Sequence, residues 1–228
     1  NWRAVHIDTG NGVQVVPNAM LATGSFTNLS RVTGAAYQAS AVLTFSADDQ
    51  PGAVAAALKT VADALPAKLA KVPAKVVAIG ESKYKVSVPI ASPADESSTK
   101  ALLLHRAWYV AQRAGLHLDG AKSQTKSNRS YVDTQLHVIA TSLGLSEDAI
   151  STMVGSARRL MFAEGELIQP VNSIPRAVGF ITEGSVAMTV RTEDGRELPL
   201  GHLGIGDYIG TTALTRQRML TGVVALTD

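Results

Sequence analysis

Two pairs of adjacent carboxylates, Asp48-Asp49 and Asp95-Glu96, are the side chains whose type and spacing come nearest to acid–base chemistry. Each pair stands immediately before a stretch with helical periodicity. A carboxylate there caps free N–H groups and favours the positive helix end, so capping is the expected role of both pairs. The five histidines, His6, His105, His117, His137 and His202, include no His-x-x-x-His or His-x-Glu spacing, which argues against zinc. Cysteine is absent, so neither a thiolate metal site nor a disulfide framework exists. No nucleophile, base and orienting group can be assembled from spacing. The sequence assigns no catalytic residue and no metal ligand, and an enzyme is not expected.

The chain has 228 residues, of which 46% are hydrophobic, enough for one large or two ordinary domains. Its formal charge of +2 is nearly balanced. No dense Lys/Arg stripe of the kind a nucleic-acid face requires is present, so nucleic acid is not an expected partner. No window reaches the ~18 to 20 apolar residues that span a bilayer, and the first residues carry no signal-peptide pattern.

Residues 2–8 alternate, Thr9 to Gly12 form a turn, and Val13, Val15 and Val16 come after it, which predicts a hairpin. Val16 is the expected strand end, because Pro17 lacks the N–H that a central strand needs and Asn18 tolerates turn conformations. A short alternating strand is expected after the turn. The pattern Val15-Val16-Pro17-Asn18, then Leu21, Gly24 and Asn28-Leu29-Ser30-Arg31, resembles the corner that closes the β-domain of small-conductance mechanosensitive channels. The signature residues are Pro17, Asn18, Gly24, Asn28, Ser30 and Arg31. The alternative is a hairpin corner in an unrelated sandwich.

Downstream, Tyr37 to Phe45 reads as a strand with Ala39, Ala41, Leu43 and Phe45 on one face. A helix from Pro51 to about Leu65 buries Val54, Leu58, Val61 and Leu65. Lys75 to Ile79 and Lys83 to Ile90 are strands joined at Gly80-Glu81-Ser82, the second burying Tyr84, Val86, Val88 and Ile90. A further helix, capped by Ser97 or Ser98, runs from about Thr99 to Ala114 with Leu103, Ala107, Val110 and Ala114 inward and Gly115 as its stop. This βαββα order predicts an α+β domain with a mixed sheet covered on one face by helices, and it matches the domain that comes after the β-domain in the channel family.

Residues 120–130 hold no large apolar side chain and read as a linker. Val132, Leu136, Ile139 and Leu143 keep a helical period closed by Gly144, and Ser146 caps a second helix with Leu145 stapled onto Ile150. Three stretches then stand out: Phe162 to Ile168, Ala177 to Val186, and Leu203 to Leu214. Together they resemble the cyclic-nucleotide-binding domain, a jelly-roll β-barrel, here truncated.

That resemblance places a phosphate cradle at Gly210, Thr211, Thr212 and Ala213, where a short helix start offers N–H groups to an anion. It also implies a Glu for the ribose and an Arg for the phosphate. The chain has Thr211 at the first position and, counting back from Val223-Val224-Ala225, Met219 at the second, with Arg218 one place early. Cyclic AMP or cyclic GMP is therefore expected to bind weakly or not at all, the barrel being degenerate and either binding another ligand or only packing, and no other cofactor is expected.

The expected organisation is multi-domain α+β: the last part of a β-domain (1–33), an α+β domain (34–119), a linker (120–130) and an incomplete cyclic-nucleotide-binding-like domain (131–228). The channel resemblance implies a membrane protein with its pore helices upstream, this segment on the cytoplasmic side of the cell membrane, and a homo-oligomeric, heptameric ring around a vestibule. The alternatives are a cyclic-nucleotide-responsive module of a membrane channel, or a ligand-binding regulatory protein that is not a channel. A transcription regulator of the cyclic-nucleotide type would need a helix-turn-helix after the barrel.

Overall fold

Residues Ala4–Asp8 (β1) and Val13–Pro17 (β2) pair antiparallel, with Val5 opposite Val16 and Ile7 opposite Gln14. The computed structural model describes residues 3–8, 12–25, 37–121, 129–144, 146–192 and 196–228. The expected hairpin is present and extends to Pro17, which sits at the strand's end where the missing N–H costs least. In place of the expected turn, Asn18–Thr23 is a short helix (α1), entered from Pro17 at φ −58° and ψ 136° and closed by Gly24, whose N–H donates to Met20 O at 3.1 Å. The alternating strand expected after the turn runs into residues 26–31, outside the described residues. A proline just before a helix start pre-sets the entry, so the same two residues that signal a turn also begin a helix. The signature residues Asn28, Ser30 and Arg31 lie outside the described residues. Val13 and Val15 are 63% and 55% exposed, so among the described residues no core lies against their strand.

The first real core is built from Tyr37–Thr44 (β3), Pro51–Asp63 (α2), Lys75–Gly80 (β4), Lys83–Ile90 (β5) and Glu96–Ala114 (α3). The sheet order is β3-β5-β4, and both pairings are antiparallel rather than mixed. The turn at Gly80 to Ser82 makes β4 and β5 a hairpin, while α2 carries the chain from one sheet edge to the other, so the central strand opposes both neighbours. Ala39, Ala41, Leu43 and Phe45 are buried with Val54, Leu58, Val61, Leu65, Tyr84, Val86, Val88 and Ile90, as the two periodicities require. On α3 the buried row is Thr99, Leu103, Ala107 and Ala111, with Arg106 beside it. Val110 is only partly buried and Ala114 is exposed, contrary to expectation, because a row spaced four apart with small side chains lets the helix lie close to β3.

The helix starts also differ from the expected caps. Gln50 precedes α2 and Asp95 precedes α3, neither with a side-chain cap bond. Ser92 instead accepts from Ala94 N–H at 3.2 Å, opening a 3-10 turn over Pro93–Asp95, and Ser97 and Ser98 fall inside α3. Gly115, at φ 69°, is the helix stop the sequence calls for.

Beyond this layer lie Arg129–Ser142 (α4) and Glu147–Val154 (α5); Ser146 caps α5 by accepting from Ala149 N–H, and Leu145 lies outside the described residues. Arg129 and Ser130, expected in the linker, begin α4. Among the described residues six strands come next: Leu167–Gln169 (β6), Gly179–Phe180 (β7), Val186–Arg191 (β8), Glu197–Leu203 (β9), Tyr208–Ile209 (β10) and Thr221–Ala225 (β11). They form a four-stranded sheet, β6-β11-β8-β9, and a separate pair, β10-β7. Among the described residues no closed barrel exists. Among the described residues the two-residue strands β7 and β10 pair only with each other, Tyr208 opposite Phe180 and Ile209 opposite Gly179, so they do not join the larger sheet. Ile181, Val186 and Val223 form a small second core with Ile168, Leu203, Ile209 and Met219 packed against it.

Candidate functional site

Gly210 determines the shape of the cradle. It comes directly after β10 in the left-handed region, at φ 75° and ψ 24°, and a Cβ there would lie 2.8 Å from Ala177 O and 3.3 Å from Pro175 Cβ. Only glycine fits both constraints. The chain then enters a 3-10 turn over Thr211–Ala213, in which Ala213 N–H donates to Gly210 O at 2.9 Å and Leu214 N–H to Thr211 O at 3.1 Å. The amides of Thr211 and Thr212 precede the first of these bonds, so they are the donors an anion would use. The Thr212 hydroxyl oxygen is buried without a hydrogen-bond partner. An unpaired buried hydroxyl costs about 1–3 kcal/mol.

Gly210, Thr211, Thr212 and Ala213 thus share one turn. Arg218 is occupied differently: its Nη1 donates to Asn172 O at 3.0 Å, on the connection between β6 and β7. Met219 N–H donates to Ser173 O at 2.8 Å and its carbonyl accepts from Asn172 N–H at 2.7 Å, while its side chain packs against Ile181, Val186 and Val223. The residue at the place where the resemblance requires an arginine therefore turns to the apolar core and offers no charge. Thr211 is exposed and supplies a hydroxyl in place of a carboxylate. The backbone fits an anion; the side chains do not fit the charged contacts to ribose and phosphate.

Asp49 does not cap α2, whose N-cap is Gln50. Its buried carboxylate accepts from His117 N–H at 2.8 Å and Ser46 N–H at 3.3 Å, with His117 Nδ1 also at 2.8 Å. Burial pushes the Asp49 carboxyl up, but the hydrogen bonds and charge of His117 outweigh it and hold the group below its ordinary value. A cleft of about 360 Å³ lined by Ser40, Ala41, Val42, Lys100 and Leu104 lies between β3 and α3 and includes no cradle residue. Among the described residues no cluster of His, Asp and Glu could hold a metal ion, and no helix is long and apolar enough to cross a membrane.

Residues 159–228 match the family model described as the cyclic nucleotide-binding domain. The match starts at Arg159 and covers the cradle and both core-lining strands β8 and β11. No curated protein matches the chain. Three solved structures show looser likeness. The catabolite activator protein of Thermus thermophilus is 22% identical over 37% of this chain and 40% of its own, with a TM-score of 0.34. The regulatory subunit of a cAMP-independent protein kinase A from Trypanosoma cruzi, bound to guanosine, is 20% identical over 64% and 44%, with a TM-score of 0.40. The N-terminal domain of a transcriptional regulator from Streptomyces coelicolor is 25% identical over 36% and 60%, with a TM-score of 0.32.

The chain spans less than half the length of the first two. The family match, not these likenesses, bears on function: the C-terminal part of the chain carries a cyclic nucleotide-binding domain. The match lies outside Pro17, Asn18 and Gly24, and nothing in these comparisons supports the mechanosensitive-channel resemblance.

Proposed function

We propose that this chain is a ligand-responsive regulatory module in which the cyclic nucleotide-binding domain serves a partner activity through the α+β layer formed by β3, α2, β4, β5 and α3, the boundary lying in residues 120–130. The observation that carries this is the Gly210 turn, whose free amides and unpaired Thr212 hydroxyl fall inside the matched segment. Replacing a charge-assisted contact by an ordinary one costs about 1.5–3 kcal/mol, so the loss of both Glu and Arg weakens cyclic-nucleotide binding by roughly a hundredfold or more. The module is non-enzymatic in this account, since spacing in the sequence assembles no nucleophile, base and orienting group. Titration calorimetry with cyclic AMP and cyclic GMP tests it: weak binding that Gly210→Ala removes supports the proposal. Binding that survives Gly210→Ala places the ligand elsewhere.

A second reading is favoured by one observation: a hairpin ending in Val15-Val16-Pro17, with Asn18 opening α1, precedes an α+β layer in the βαββα order that the channel resemblance implies. Under it the partner activity is a mechanosensitive channel in the cell membrane, this region is cytoplasmic, and the subunits form a heptameric ring. Patch-clamp of the natural protein in an otherwise channel-free membrane discriminates the two. Tension-activated current supports the channel; its absence under every condition leaves the non-channel regulator.

A further inference from the structure

Helix α3 ends on a cation that a solvated helix face would leave in water, yet Arg113 is only 15% exposed and its partner Glu166 12%. Arg113 Nη1 donates to Glu166 Oε2 at 3.0 Å, Nη2 pairs with Glu166 Oε1, and Nη1 also donates to the Met161 carbonyl. The guanidinium carbon lies 4.4 Å from the centre of the Phe162 ring. Glu166 Oε2 accepts in addition from Ala163 N–H at 3.0 Å, so its carboxylate is fixed from both sides.

Arg106, two turns earlier on α3, is 6% exposed and donates to Glu164 O at 3.1 Å and to Ala64 O, at the end of α2, at 3.5 Å. Gly165 has φ 69°, and a Cβ there would lie 2.8 Å from Arg106 Nη2. The glycine is what allows residues 161–166 to close on the helix. Asp228 extends the seam: it accepts from Glu164 N–H at 2.7 Å and lies 3.1 Å from His105 Nε2.

The same segment is hydrogen-bonded on its other side to β11. Gly165 N–H donates to Ala225 O at 2.8 Å, and Ala225 N–H donates to Glu166 O at 3.0 Å. Strand β11 is the return from the cradle, and its Val223 is fully buried in the second core. One residue, Glu166, is thereby held by its side chain to α3 and by its backbone to the strand that leads away from the cradle.

We propose that Arg113 and Glu166 form a latch that holds the α+β layer and the cyclic nucleotide-binding domain as one cooperative unit, and that β11 passes occupancy of the cradle to α3 through it. The latch itself stands on the contacts above; the transmission rests on the function proposed for the domain. A buried pair with hydrogen bonds on both partners suits this role, because removing either partner strands the other without solvent.

The test is hydrogen exchange on the whole chain with Arg113→Met, Glu166→Gln and the double variant. Each single change is expected to speed exchange at Gly165 and Ala225, across the seam from α3, by about tenfold or more, while α2 stays protected. The double variant is expected to be scarcely worse than either single, since both remove one interaction. Faster exchange confined to α3, or costs that simply add, overturns the latch. Arg113→Lys keeps the charge and serves where loss of the cation unfolds the protein; it must show the same pattern to a smaller degree.

Cyclic AMP is the probe for transmission. Protection at residues 211–214 marks binding, and protection along α3 must then change in the natural protein and not in Arg113→Met. Binding without that change overturns transmission. No protection at residues 211–214 contradicts the nucleotide-binding function, while the mutant cycle still decides the latch.

Discussion

The backbone N–H of His117 and its ring Nδ1 both lie 2.8 Å from the carboxylate of Asp49, joining the loop before α2 to the loop after α3. Because the folded state holds the Asp49 carboxyl below its ordinary value, the unfolded chain binds its proton first as pH falls. The stabilisation is complete above the ordinary Asp range and is lost as pH drops through the lower, folded value. Thermal unfolding monitored from neutral to acid pH should show this loss, and Asp49→Asn should flatten that part of the profile. The substitution should cost about 1.5–3 kcal/mol at neutral pH, the worth of hydrogen bonds to a charged acceptor.

Asp63 makes a parallel case at the end of α2. Burial raises its carboxyl, but Lys59 at 2.9 Å, the Ala74 N–H at 3.0 Å and the charge of Lys68 more than offset this. Its contribution has the same sign as that of Asp49 and fades over the same acid range. In Asp63→Asn the remaining acid dependence should be that of Asp49 together with Asp228, whose carboxyl the Glu164 N–H and His105 also hold below its ordinary value, and unfolding curves of the single and double variants resolve the shares.

The hairpin of β1 and β2 should be the least self-sufficient described part of the chain. No side chain described in residues 3–25 is buried, whereas Val54 and Leu58 of α2 are fully so. A two-stranded hairpin without a packed face is marginal in water. Amides of β1 and β2 are expected to exchange far faster than those of α2, and Leu58→Ala should cost about 2–5 kcal/mol while leaving hairpin exchange unchanged. Equal protection of hairpin and α2 would mean that the hairpin has a covering partner.

Gly210→Ala should be felt at once, since the added Cβ meets Ala177 O at 2.8 Å and the left-handed backbone disfavours it as well. A cost of about 1–3 kcal/mol is expected from the backbone conformation alone. Gly52, with open space around its Cβ position and an ordinary φ within α2, is the matched control: Gly52→Ala should be neutral or stabilising. Thermal denaturation of the two variants compares them directly.

The parts of this fold legible from sequence are those whose contacts repeat with a short period. Val54, Leu58, Val61 and Leu65 on α2, and Tyr84, Val86, Val88 and Ile90 on β5, are buried as their spacing requires. Ambiguity arose where one residue pair has two local uses: Pro17-Asn18 suits a turn and a helix entry equally, and α1 took the second. Contacts set by tertiary approach left no trace in spacing. His117 is 68 residues from Asp49, and Glu166 is 53 from Arg113, so neither pair could be found by a local pattern. The candidate cradle is placed at Gly210 to Ala213 by the family resemblance rather than by any spacing of residues. The orientation of Met219 and the capture of Arg218 by Asn172 depend on how the β6 to β7 connection folds back.

Central to the proposed function is a nucleotide cradle at residues 210–213, weakened by Thr211 and Met219. Calorimetric titration of cyclic AMP into the natural protein, Thr211→Glu and Gly210→Ala tests it most directly. Thr211 is exposed beside the turn, so a carboxylate there restores a charge-assisted contact and affinity should rise roughly tenfold or more over the natural protein, while Gly210→Ala should abolish binding. Micromolar binding by the natural protein that both substitutions leave unchanged, or a folded Thr211→Glu variant that binds no better than the natural protein, would contradict the claim.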